Sequence, residues 1–129
     1  MKHADALMQK IESRKVVVGV VGLGYVGLPL VREFCTSGVR VIGFDIDERK
    51  VRKLKAGQTY IEHLPGAFFK GLIQRKLFTP TADMNLLAKP DVILIAVPTP
   101  LDKMREPDMS YIVNTTRDIA KRLRPGQVV

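Results

Sequence analysis

The spacing of apolar positions changes repeatedly along the chain, and each change predicts an element. Residues 4–13 place Leu7, Met8 and Ile11 at helical intervals, predicting a short amphipathic lead-in helix. Residues 16–21 are almost wholly β-branched, the pattern of a strand buried on both faces. A glycine cluster follows. Residues 25–37 then return to helical spacing, with Val26, Leu30, Val31 and Phe34 inward and Gly38 as the stop. Residues 39–44 predict a second buried strand, ending at Asp45. Asp47 is placed to cap a helix reaching about residue 56, with Gly57 closing it.

The second half repeats the alternation with shorter pieces. Residues 58–66 carry no period and read as a loop; residues 67–76 predict a helix with Phe68, Leu72 and Ile73 apolar, and residues 77–79 a short strand. Residues 86–88 predict a helical turn before Pro90, and residues 91–97 a third buried strand closed by Pro98-Thr99-Pro100. Asp108 or Ser110 caps a helix to about residue 124. Pro125-Gly126 then returns the chain to Gln127-Val128-Val129, which reads as the start of another buried strand. Strands alternating with helices predict an α/β fold, a doubly wound parallel sheet with right-handed crossovers, cut before its last strand or strands. The expected division is a lead-in helix over 1–15 and one domain over 16–129.

Composition narrows the class without selecting a function. The chain has 129 residues, 46% of them hydrophobic and 26% charged, a balance ordinary for one soluble globular domain. No apolar run reaches the ~20 residues needed to cross a bilayer, and residues 1–15 are too polar for a secretory signal, so a cytoplasmic protein is expected. One cysteine, Cys35, excludes an internal disulfide and fits a reducing compartment. With His3 and His63 it has no ligand spacing, so no metal is expected. Cys35 falls well along its predicted helix, away from the N-terminus that would activate a thiol, and reads as a packing residue. Glu62 and His63 sit together in the loop as an acid–base pair or, more simply, as solvated side chains. The net charge of +8 is concentrated partly in Arg49, Lys50, Arg52, Lys53 and Lys55, read as a solvated helix face with some charge available to a phosphate-bearing ligand.

The chemistry-bearing motif is Gly22-Leu23-Gly24-Tyr25-Val26-Gly27, directly after a predicted buried strand and opening a helix. Asp45 closes the second strand 18 positions beyond Gly27, near the interval expected of a ribose-binding acid. Each glycine has a physical task. Gly22 permits the turn out of the strand, Gly24 lets backbone approach a pyrophosphate, and Gly27 lets the helix pack on the strand. Free N–H groups at the helix start then face the phosphates. Asp45 accepts from the ribose hydroxyls and repels a 2′-phosphate, which favours NAD over NADP, although Arg49 or Lys50 could accommodate that phosphate. Pro98 and Thr99 lie at the carboxyl end of the third buried strand, the edge where open parallel sheets bind ligands; a rigid strand exit accounts for them equally well. The pattern as a whole is that of a Rossmann-type nucleotide-binding sheet.

Taken together, Gly22-Leu23-Gly24-Tyr25-Val26-Gly27-Leu28-Pro29, Phe44-Asp45-Ile46-Asp47, Val97-Pro98-Thr99-Pro100 and Arg105-Glu106-Pro107-Asp108 resemble the UDP-glucose/GDP-mannose dehydrogenase family. The pairing of the last two runs is similar to its UDP-N-acetylhexosamine 6-dehydrogenase branch. The resemblance covers residues 16–129 and implies oxidation of a nucleotide-linked sugar from C6 alcohol to carboxylate with NAD. By position it implies that Gly22, Tyr25 and Val26 meet the pyrophosphate, Asp45 the ribose, Lys50 the adenosine side and Thr99 the nicotinamide half. It also implies a UDP-sugar substrate and a homo-oligomer for the complete enzyme. The catalytic cysteine, lysine, asparagine and aspartate of the family have no counterpart here, and Cys35 does not match the cysteine's position. No catalytic residue is therefore expected in this chain, and the chain alone is expected to be inactive.

Two other readings compete. A β-hydroxyacid dehydrogenase of the 6-phosphogluconate type shares the opening fold, but the longer loop with Pro98-Thr99-Pro100 and Arg105-Glu106-Pro107-Asp108 argues against it. A non-catalytic module sensing NAD or binding nucleic acid through its basic helix is the other. With aromatics at 6% and none interleaved with the basic residues, stacking platforms for a single strand are not evident, so neither nucleic acid nor membrane is expected as a partner.

Overall fold

A computed structural model describes residues 2–129. Its elements are α1 (Lys2–Glu12), β1 (Val17–Val21), α2 (Gly27–Thr36), β2 (Arg40–Phe44), α3 (Glu48–Lys55), α4 (Gly66–Gln74), β3 (Phe78–Thr81), a 3-10 turn (Met84–Ala88), β4 (Val92–Ile95) and α5 (Ser110–Ala120). The four strands form one sheet in the order β3-β2-β1-β4, and every pairing is parallel. The chain winds outward from β1 to β3, then crosses back to place β4 on the other side of β1. That reversal opens a crevice at the carboxyl ends of β1 and β4, and it makes the sheet the doubly wound, Rossmann-type fold that the periodicity predicts.

Both faces of the sheet are covered, which is why its strands read as continuous apolar runs. On one face α2, α3 and α4 pack Leu28, Val31, Leu54, Phe69 and Leu72 against Val18, Val20, Val41 and Phe78. On the other, Ile119 of α5 and Leu87 of the 3-10 turn meet Val21, Phe44 and Ile93. Phe69 lies edge-on to Phe78, with ring centroids 6.0 Å apart.

Several boundaries move from their expected places, each for a physical reason. The first helix after β1 begins at Gly27 rather than residue 25, and Val26 is not inward: it is 61% exposed. The stripe that packs on the sheet is Leu28, Val31 and Cys35, while Leu30 and Phe34 are half-buried. The strand expected over 77–79 runs on through Pro80 to Thr81. Pro80 is tolerated because β3 is an edge strand: the Leu77 and Thr81 carbonyls accept the Val41 and Asp45 amides, and Pro80, of the opposite parity, needs no N–H toward β2. The last helix ends at Ala120, short of residue 124. Its first turn is served by Asp108, whose carboxylate accepts the Ser110 amide at 2.9 Å. Val128 bridges to Val92 in parallel register, but Val128 and Val129 are exposed rather than buried.

A second cluster lies at the opposite, amino-terminal edge of the sheet. Asp91, buried, accepts Lys10 Nζ and the Val17 amide, each at 2.9 Å, and Arg124 Nη2 at 3.4 Å. Arg124 also donates to the carbonyls of Ala88, Lys89 and Pro90. This one carboxylate ties α1, the start of β1 and the residues after α5 together. In α1, Leu7 packs against the core while Met8 and Ile11 remain exposed.

Candidate functional site: the cleft at the carboxyl ends of the strands

The glycine turn is shaped by close backbone contacts. Gly22 has φ +100°, and a Cβ there would lie 2.6 Å from the Ala96 carbonyl oxygen, so both conformation and space exclude a side chain. At Gly27 a Cβ would fall 1.7 Å from the Gly22 carbonyl oxygen, which lets α2 start directly against the turn. Gly24 differs. A Cβ there would meet nothing within 4 Å, so its missing side chain serves no internal packing and leaves the turn open outward. Beside it Tyr25 and Val26 are exposed, Tyr25 to 82%.

Asp45 joins this turn to β2. It is only 8% exposed, yet it keeps both oxygens bonded: Oδ2 accepts the Leu23 amide at 3.0 Å and Oδ1 the Asp47 amide at 2.9 Å. Lys50 Nζ stands 3.9 Å from Oδ2 and 5.3 Å from the centroid of the Tyr60 ring. The Tyr60 hydroxyl donates to the Leu23 carbonyl, so the glycine turn is held from both sides of one residue. Burial, then the nearby negative charges of Asp45 and Asp47, push the Tyr60 phenol well above its ordinary range, so it stays a neutral donor. Asp47 caps α3 by accepting the Arg49 amide at 3.0 Å, and the Arg49 guanidinium grips the same carboxylate at 3.1 and 3.2 Å. Those hydrogen bonds hold the Asp47 carboxyl below its usual range and raise Arg49 in turn.

These residues border a cleft of about 460 Å³, lined by Gly22, Asp45, Ile46, Asp47, Lys50, Val97 and Pro98 together with one face of α5. Gly24, Tyr25, Val26 and Gly27 stand at its glycine-turn edge without being among its lining residues, and Thr99 lies exposed just past Pro98. Glu62 and His63 are exposed and outside the lining, so they form no acid–base pair in this cleft. Cys35 is buried in α2, its thiol donating to the Leu77 carbonyl at 3.5 Å, and burial raises its pKa to about 11 against a weaker opposing charge from Arg75. A larger groove of about 680 Å³ runs beside β3, but it contains no carboxylate and none of the glycine-turn residues.

Two contributors escape a reading of the sequence. Tyr60 lies in a segment with no period, and its role depends on Leu23, 37 positions away. The α5 face of Ser110, Asn114 and Asp118 also lines the cleft. Polar residues recurring every fourth position on a helix carry that signal, because such a helix has a second face turned toward something other than core.

A parallel sheet with a reversal beside β1, a glycine turn entering a helix and a buried acid ending β2 together define a Rossmann-type dinucleotide-binding domain. Residues 16–129 match the UDP-glucose/GDP-mannose dehydrogenase family, NAD binding domain. The chain belongs to that family, and NAD is the cofactor of the domain it matches. It is 36% identical over 112 residues to the UDP-N-acetyl-D-glucosamine 6-dehydrogenase of Pseudomonas aeruginosa, covering 87% of this chain and 26% of that protein. It is 33% identical over 129 residues to the UDP-N-acetyl-D-mannosamine dehydrogenase of Methanococcus vannielii, covering 95% and 29%. Among solved structures, the UDP-D-ManNAc dehydrogenase of Pyrococcus horikoshii superposes with a TM-score of 0.79 at 31% identity, covering 88% of this chain and 27% of that one. The chain thus spans little more than a quarter of the length of these relatives.

Proposed function

We propose that this chain is the cofactor-binding portion of a UDP-N-acetylhexosamine 6-dehydrogenase and binds NAD across the carboxyl ends of β1, β2 and β4. The single observation that carries the reading is the joint between turn and acid: Asp45 accepts the Leu23 amide and so fixes the glycine turn from the edge of the cleft. The fit to a dinucleotide rests on three features. Gly24 leaves open space where a pyrophosphate must come close to backbone. Asp45 spends one bond per oxygen on the protein, and a carboxylate has about four acceptor positions, so capacity remains for ribose hydroxyls. Ile46, 70% exposed on the cleft wall, offers an apolar face for a base.

The residue roles follow from this placement. Gly22, Gly24, Tyr25, Val26 and Gly27 present backbone to the pyrophosphate, with the start of α2 supplying free N–H groups. Asp45 accepts from the adenosine ribose, Lys50 flanks the adenosine side, and Pro98 with Thr99 borders the nicotinamide half. NAD, when bound, supplies the hydride acceptor. What this chain contributes is binding and orientation; the cysteine and lysine that the family's chemistry requires are not among its residues, so the isolated chain binds cofactor without oxidising sugar. The complete enzyme takes a UDP-sugar, works as a homo-oligomer and is cytoplasmic in this reading; no helix among the described residues is long and apolar enough to cross a membrane.

Calorimetric titration of the chain with NAD tests the reading. Saturable binding is expected, weakening about ten- to a hundredfold in Asp45→Ala, the range for loss of hydrogen bonds to a charged group. No NADH should accumulate when UDP-N-acetylglucosamine or UDP-N-acetylmannosamine is added. A folded chain that takes up neither NAD nor NADP sinks the proposal.

A further inference from the structure

The basic pair at the start of α3 poses a question that Asp45 alone does not answer. A 2′-phosphorylated adenosine brings about −1.5 to −2 charges to the ribose edge. Asp45 repels it, but Lys50 stands 3.9 Å from that carboxylate and offsets part of its charge. Arg49 is next to it, largely exposed, and a guanidinium is the side chain best matched to a phosphate through two parallel N–H donors. Arg49 lies outside the lining of this cleft, and once free its long side chain would be able to swing toward the rim and offer the phosphate a partner.

Arg49 is not free. Asp47 lies on the cleft lining between Asp45 and Lys50, and both its oxygens take the Arg49 fork, Nε on Oδ1 and Nη2 on Oδ2. Its own position is fixed from two directions. Its amide donates to Asp45 Oδ1, and Oδ1 accepts the Arg49 amide as the cap of α3. Although the ion pair is exposed and weak by itself, breaking it does not help the phosphate. Drawing Arg49 away leaves a second, uncompensated carboxylate at the place the phosphate would occupy.

We infer that Asp47 is a second specificity-determining residue, excluding 2′-phosphorylated dinucleotides both by its own charge on the cleft rim and by occupying Arg49. The inference rests on the reading that this cleft binds NAD. It divides the discrimination between two residues of one turn: Asp45 recognises the hydroxyls, and Asp47 keeps the neighbouring cation from recognising a phosphate.

The test compares NAD and NADP binding by calorimetry in the wild-type chain, Asp47→Ser and the double variant Asp47→Ser/Arg49→Ala. Serine retains the helix cap while removing the charge; Asp47→Asn, also a capping residue, serves if the serine variant does not fold. The expected result is about a tenfold gain in NADP affinity for Asp47→Ser, the lower end for a new charge-assisted contact, with NAD changed less than about threefold. That gain should shrink in the double variant, which loses the guanidinium contact but keeps the relief from the Asp47 charge. NADP affinity unchanged in both Asp47→Ser and Asp47→Asn overturns the inference, as does a gain that survives intact without Arg49. If the folded wild-type chain binds neither dinucleotide, the cofactor reading itself fails, an outcome distinct from normal NAD binding with no change in NADP.

Discussion

Replacing Gly24 and Gly27 separately by alanine should divide the glycine turn into a part that folds the protein and a part that serves its ligand. At Gly27 the new methyl carbon would lie 1.7 Å from the Gly22 carbonyl oxygen and 2.8 Å from its carbonyl carbon. Both partners are backbone, so no side chain can swing aside, and α2 must move off the turn by more than an ångström. Overpacking typically costs about 1–3 kcal/mol, and a backbone-on-backbone clash belongs at or above the upper end. With an unfolding entropy of about 2.1 cal/mol/K per residue, a chain of 129 residues loses about 4 °C of melting temperature per kcal/mol. Gly27→Ala should therefore melt about 10 °C or more below wild type. At Gly24 the methyl meets nothing within 4 Å, and no left-handed backbone has to be sustained. Removing a glycine there should leave stability unchanged or raise it by up to about 1 kcal/mol. The same methyl occupies the surface where a pyrophosphate would meet backbone, so NAD affinity should fall at least about tenfold. Thermal unfolding followed by far-ultraviolet circular dichroism, with calorimetric titration of the same samples, reads both quantities. A Gly27→Ala protein melting within about 2 °C of wild type would refute the turn geometry. Wild-type NAD affinity in Gly24→Ala would refute the assignment of that open space to the cofactor.

Two further predictions concern groups away from the cleft. Burial opposes ionisation of Asp91, but hydrogen bonds from Lys10, the Val17 amide and Arg124 outweigh it and hold the folded carboxyl below its ordinary range. Because the folded value is the lower one, this stabilisation is complete above the unfolded value of about 3.9 and is lost as pH falls through the folded value. Asp91→Asn should cost about 2 kcal/mol at neutral pH, most of it through Val17 and Arg124 since the Lys10 side chain is 49% exposed. Urea unfolding from pH 7 down to pH 3 should show that difference shrinking; a constant difference would disprove the linkage. Cys35, with its thiol raised to about 11 by burial, should react with a disulfide reagent at pH 8 only as fast as the chain opens, and at once in denaturant. Rapid labelling of the native protein would contradict the packing role.

What could be read from the sequence was what depends on near neighbours. The runs of β1, β2 and β4, the cap at Asp47, and the spacing from the glycine turn to Asp45 are all set within one element or its immediate flank, whereas the N-cap of α5 is Met109, with Asp108 accepting the Ser110 amide from just before it. Helical spacing alone places Val26 in the inward stripe, whereas the turn out of β1 delays the helix to Gly27 and leaves Val26 outside. Pro80 hid the end of β3 because a proline argues against a strand until the strand is known to be an edge. Tyr60 was illegible for a different reason: its bond to Leu23 and its ring beneath Lys50 join segments that no local period connects.

Burial itself would not have separated the two acids that matter most. Asp45 and Asp91 are the two buried acidic side chains among the described residues, at 8% and 5% exposure, and each accepts a backbone amide from a neighbouring segment. They differ in what surrounds the oxygens left over. Asp91 receives Lys10 and Arg124 and adjoins a space of about 80 Å³, so its charge is spent within the fold. Asp45 receives two amides, meets Lys50 only at 3.9 Å and opens on about 460 Å³. A buried carboxylate is costly unless it is paired and hydrogen-bonded, and Asp91 meets that condition inside the protein. Asp45 meets it with two amides and a more distant cation, and the cleft beside it leaves room for a further donor. If the cleft binds a dinucleotide as proposed, ribose hydroxyls would supply further donors to Asp45 at the carboxyl edge of the sheet, beside the turn that Gly24 leaves open.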